Sequence, residues 1–130
     1  MTGRSDPARR LTISIGLHGS LLVAHASGDL DYRCADLLHR QIGDVWQNVP
    51  TVGVVLDLGG LTFCDSMGVG ALVLLLHQSR AQRSPLVLSS LPARVERILA
   101  ITGLRGFFHV EPSVEAAIQA AGPGHVTGMG

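Results

Sequence analysis

The chain has 130 residues, 46% of them apolar and 15% charged, a composition that suits one α/β domain with an aliphatic core. Ten basic side chains balance ten acidic ones, which argues against a nucleic-acid partner, and two cysteines without a C-x-x-C pair argue against a disulfide framework or a metal site. The longest apolar stretch, Met67 to Leu76, falls well short of the roughly 20 residues that span a bilayer, so no direct membrane insertion is expected and a soluble, cytoplasmic protein is.

Residues 1–10 are polar, lack the apolar centre of a secretory signal, and read as a flexible lead-in. Leu11, Ile13 and Ile15 alternate with polar or small residues, and Leu21 to Ala26 follows Leu17-His18-Gly19-Ser20, which is a hairpin signal. Gly28-Asp29-Leu30-Asp31 is expected to break the second strand and to offer Asp31 as the cap of a helix from about Arg33 to Trp46. In that helix Leu37, Leu38, Ile42, Val45 and Trp46 have the three-to-four spacing of one buried face. Val52 to Leu56, after Pro50, suits a strand covered on both faces, followed by a short turn.

A second helix is predicted from Ser66 to about Arg83, opened by Asp65 and Ser66. Its first half, Val69 to Leu76, is nearly all apolar and must be covered on more than one side. A buried strand is the rival reading for Leu72 to Leu76, which the capping residues and the nearby Gly68 and Gly70 disfavour. Leu86 to Leu88 reads as a short strand. Ala93 to Thr102 reads as a helix with Val95, Ile98, Leu99 and also Ile101 turned inward, stopped at Gly103. Phe107 and Phe108 fit a last strand, Pro112 and Ser113 open a helix to about Ala121, and the glycine-rich residues 122–130 read as a flexible tail. The fold class is therefore α/β, a domain at 11–121 with a mixed central sheet and helices packed largely on one face.

Three fragments, in this order and spacing, resemble the anti-sigma factor antagonists of the STAS domain family. Gly28-Asp29-Leu30-Asp31 is similar to the family's Gly-Glu-Leu-Asp at the end of its second strand. Val54 through Leu72 resembles its strand, turn and helix, with Asp65-Ser66-Met67-Gly68 where the family has Asp-Ser-Ser/Thr-Gly. Leu91-Pro92-Ala93-Arg94-Val95, with Leu104 beyond Gly103, looks like its late helix and Gly-Leu.

The resemblance implies a STAS-like fold, no catalysis and no cofactor. It implies a protein that binds an anti-sigma factor with an ATP-binding kinase fold, frees a sigma factor and so regulates transcription, as a monomer or weak dimer. It places the partner on Asp29, Asp31, Asp65, Ser66, Met67, Gly68 and Val69. The alternative within the same fold is an accessory subunit of a membrane lipid-transport complex. In the family the third motif residue is a phosphorylated hydroxyl, and Met67 cannot accept phosphate. Three readings follow: the kinase uses Ser66, the chain is a constitutively active antagonist, or its control lies elsewhere. The simpler roles are helix capping for Ser66 and core filling for Met67. Cys34 and Cys64, expected near the same sheet end, are redox candidates, although two ordinary buried thiols are the simpler expectation.

Enzyme readings fare worse. Asp29-Leu30-Asp31 also resembles the paired aspartates of haloacid dehalogenase-type phosphatases, but the threonine two places on and a later lysine with further acids are missing. Ser66 and His77 lie eleven residues apart, roughly 16 Å along a helix, too far for a nucleophile and its base. Gly68-Val69-Gly70 lacks the lysine of a phosphate-binding loop.

Overall fold

The computed structural model describes residues 11–122. The expected flexible lead-in, and the expected tail beyond Gly122, lie outside the described residues. Five strands form one sheet in the order β1-β2-β3-β4-β5: β1 (Leu11–His18), β2 (Leu21–Leu30), β3 (Gly53–Cys64), β4 (Leu86–Ser89) and β5 (His109–Glu111). β1 and β2 are an antiparallel hairpin joined by Gly19 and Ser20, and every later pairing is parallel. Parallel neighbours cannot be joined by tight turns, and the crossovers are α1 (Ala35–Asn48), α2 (Ser66–Gln82) and α3 (Ala93–Ile101).

Alternation along the strands divides the core. Leu22, Leu56 and Leu88 point to one face, where they meet Leu38, Ile42 and Trp46 of α1, Leu72 and Leu75 of α2, and Val95 and Leu99 of α3. Leu21, Val55 and Val87 point to the other, where α4 (Val114–Ala121) covers them with Ala117 and Ala121. Three helices on one face and one on the other make the mixed sheet two-sided, which is why β3 opens with a continuous apolar run.

Several expectations shift. β2 does not break at Gly28 but runs to Leu30, and β3 does not end at Leu56 but continues to Cys64. The expected turn is a pair of register shifts against β2, and Gly60 sits there because a Cβ would come within 2.7 Å of Ser27 Cβ. A bulge bends a strand without ending it. α1 begins at Ala35 rather than Arg33, after a turn in which the Asp31 carbonyl accepts from the Cys34 and Ala35 amides at 3.0 and 2.9 Å. Ile101 points outward, and Phe107 closes a 3-10 turn (Arg105–Phe107) rather than entering the last strand.

Candidate functional site

Asp65 is the N-cap of α2. Its Oδ1 accepts from the Gly68 amide at 2.9 Å, satisfying one of the donors that the first turn of any helix leaves without an intrahelical acceptor. Its Oδ2 accepts from the Tyr32 amide at 3.1 Å, and its own amide donates to the Leu30 carbonyl at 3.2 Å. One residue thus ties the end of β2 and the entry to α1 to the start of α2. Gly68 makes this possible, since a Cβ would press on the Leu30 carbonyl and come within 2.8 Å of Leu30 Cγ.

The acidic residues of the β2 end sit around this junction. Asp31 is only 5% exposed, and its carboxylate accepts from the Arg33 amide at 2.9 Å and from the Arg33 guanidinium at 3.3 Å. It therefore shapes the β2–α1 turn instead of capping α1, and it is not displayed to a partner. Asp29, half-buried, accepts from the Thr62 hydroxyl at 3.0 Å.

Along α2 the expected contact residues separate. Ser66 is exposed and Met67 is 58% exposed, so Met67 is not a core filler. Val69 is 2% exposed and belongs to the core, and Gly68 is buried against Leu30, so neither offers a side chain to a partner. The residues missing from the sequence reading are Leu74, 47% exposed, together with Phe63 and Tyr32. Met67, Gly70, Leu74 and His77 follow one another at spacings of three and four, so they form one outward ridge. The available signal was the unbroken apolar run, because a helix apolar on every side has more greasy surface than one core can cover.

Two arginines border the ridge. The Arg94 guanidinium lies 4.9 Å from the Phe63 ring centroid, beside the start of α2, and that of Arg33 lies 5.6 Å from Tyr32. Cys34 and Cys64 are both buried. Burial pushes the Cys64 thiol up to about 11, helped by the Asp65 charge and opposed by Arg94. At neutral pH that thiol is protonated and a poor nucleophile, which favours the structural role over the redox one.

Among the described residues no group of three or more His, Cys, Asp or Glu side chains is arranged to hold a metal, and no helix is long and apolar enough to cross a membrane. The arrangement is a capped helix start with an apolar ridge leading away from it.

A family model described as the STAS domain matches residues 12–117. An anti-sigma F factor antagonist of Paenibacillus polymyxa is 26% identical over 110 residues, covering 85% of this chain and 92% of the relative. The fold resembles the crystal structure of an anti-sigma factor antagonist from Mycobacterium paratuberculosis, with a TM-score of 0.76 at 24% identity over 88% of this chain and 96% of the other. It also resembles part of the murine Slc26a9 anion transporter, with a TM-score of 0.67 at 19% identity over 78% of this chain and 18% of the transporter.

Proposed function

The chain belongs to the STAS domain family, and from that premise we propose that it is an anti-sigma factor antagonist, a cytoplasmic, non-enzymatic binding protein. It occupies an anti-sigma factor with a kinase fold and thereby releases a sigma factor. The observation that carries this reading is the exposed Met67 and Leu74 ridge rising from the Asp65-capped helix start. An apolar ridge of this kind fits the core of an interface, and the neighbouring polar groups of Ser66 and Asp29 fit its rim. Likeness across 92% of an antagonist relative supports this reading over the accessory subunit of a lipid-transport complex, and the anion transporter shares the fold over only 18% of its own chain.

A phosphate on this surface would carry nearly two negative charges into a packed contact beside Asp65. The helix start tolerates such a group, so modification would abolish binding without unfolding the domain. Met67 removes the usual acceptor, and the antagonist is therefore constitutively active.

The test is incubation of the full chain with candidate anti-sigma kinases and Mg-ATP, followed by size-exclusion chromatography and intact mass. The expected result is a complex and an unchanged mass, with Met67→Ser gaining one phosphate. Stoichiometric phosphate on Ser66 would overturn constitutive activity. Capture of a transporter permease or ATPase in place of an anti-sigma factor would overturn the antagonist reading.

A further inference from the structure

We infer that the face shared by α2 and α3 docks an acidic patch of the partner protein, read by Arg94, Arg97 and Arg80; this deepens the antagonist reading and rests on it. α2 carries no acidic residue between Ser66 and Gln82. In α3 the buried Val95 and Leu99 set the inner face, while Arg94, Arg97 and Ile101, spaced by three and four, form the outer one. The one acid of α3, Glu96, lies on another side of the helix, bonded to Arg105 at 2.8 Å. Between Ser66 and Gln82 and along the outer side of α3 this face carries arginines and no carboxylate, while the Asp65 cap at the start of α2 has its oxygens on the Gly68 and Tyr32 amides.

Two of the three charges are already positioned. The Arg94 guanidinium carbon lies over the Phe63 ring at 4.9 Å and that of Arg80 over the Phe107 ring at 5.9 Å from the centroids. A guanidinium held over a ring still has N–H groups to offer a carboxylate, and a held side chain loses less rotamer freedom on binding. Phe63, Phe107 and Ile101 are exposed around them, and Met67 and Leu74 continue the apolar surface along α2. Arginine and aromatic side chains set among aliphatic ones are the composition of a protein interface. A nucleic-acid surface would need a larger basic field than a chain with ten positive and ten negative residues provides. The matching partner surface is apolar at its centre, with Asp or Glu at the edge that meets α3.

The test measures association of the full chain with its anti-sigma factor by stopped flow across a salt series, for the unmodified chain and for Arg94→Glu, Arg97→Glu and the double variant. Gln119→Glu, exposed on α4 across the sheet, is the charge control, and urea unfolding checks that every variant folds. We expect the double reversal to slow association about tenfold or more at low salt, with the gap closing at high salt, since charges near an interface act mainly through steering. Arg94→Lys, which keeps the charge, is expected to stay within about threefold of the unmodified chain. A complex whose rate and salt slope ignore the double reversal would overturn the acidic docking surface and leave the antagonist reading intact. Arginine-dependent binding to phosphatidylserine vesicles, with none to the anti-sigma factor, would overturn both in favour of a membrane surface. Failure of the unmodified chain to bind any anti-sigma factor would also overturn both.

Discussion

An ideal Cβ built on Gly68 would come within 2.8 Å of Leu30 Cγ and 3.1 Å of Cys64 Sγ, and closer still to the Leu30 carbonyl oxygen. That carbonyl accepts from the Asp65 amide, so it cannot retreat without loosening the junction that presents Met67. Gly70, one residue beyond Val69, has nothing within 4 Å of the same construction. Gly68→Ala is therefore expected to cost about 1–3 kcal/mol or more by overpacking. Gly70→Ala should leave stability unchanged or raise it by about 0.5–1 kcal/mol through helix propensity. Urea unfolding of the two variants checks the contrast. The motif singles out Gly68 in the sequence but not what its missing Cβ avoids, because the cost of a methyl group depends on what approaches from β2. The same limit explains Met67 and Val69, two apolar residues of one motif that end on opposite sides of the helix wall.

Within α2 the apolar residues serve two ends. Leu72 and Leu75 are fully buried against the sheet, while Leu74 between them faces outward beside Met67. Leu75→Ala should cost about 2–5 kcal/mol by transfer and cavity loss. Leu74→Gln should change stability by no more than about 0.5 kcal/mol yet weaken partner binding. Thermal unfolding and a binding titration separate the two effects. Helix bounds were legible, since Asp65 and the polar end after Leu76 mark them chemically. Strand β3 was less so: the sequence predicts a short turn after Leu56, whereas pairing of Gly60, Leu61, Phe63 and Cys64 with β2 continues it as a bulged strand. The three-residue β5 was misplaced for a related reason, since only its contact with β4 distinguishes His109–Glu111 from the neighbouring Phe107 and Phe108.

Across the whole molecule, the packing that seats α2 on the sheet also sets an alkaline limit to stability. The folded state holds the Cys64 proton up to about pH 11, whereas an unperturbed thiol releases it near 9.0. With the folded pKa raised, the stabilising contribution of the neutral thiol is complete below about pH 9 and is lost as pH rises through about 11. The urea midpoint is expected to fall across that window, and Cys64→Ala to fall less steeply. A solvent-exposed thiol would show no such window, so the result reports on burial.

The amino-acid sequence by itself determined the α/β class, the order of elements, the helix start at Asp65 and the family resemblance. The first three are carried by local chemistry: capping groups, alternation and the spacing of apolar residues; the resemblance rests on three motif fragments in order. Only the tertiary structure decided which residues of the motif face solvent. Asp31 turned inward to Arg33, Val69 joined the core, Met67 and Leu74 came to the surface of α2, and Arg94 came to lie over the exposed Phe63. Periodicity states that a residue shares a face with its neighbours three and four away, but not whether another element covers that face. That coverage is settled by contacts between residues far apart in the chain, here Leu30 with Asp65 and Phe63 with Arg94.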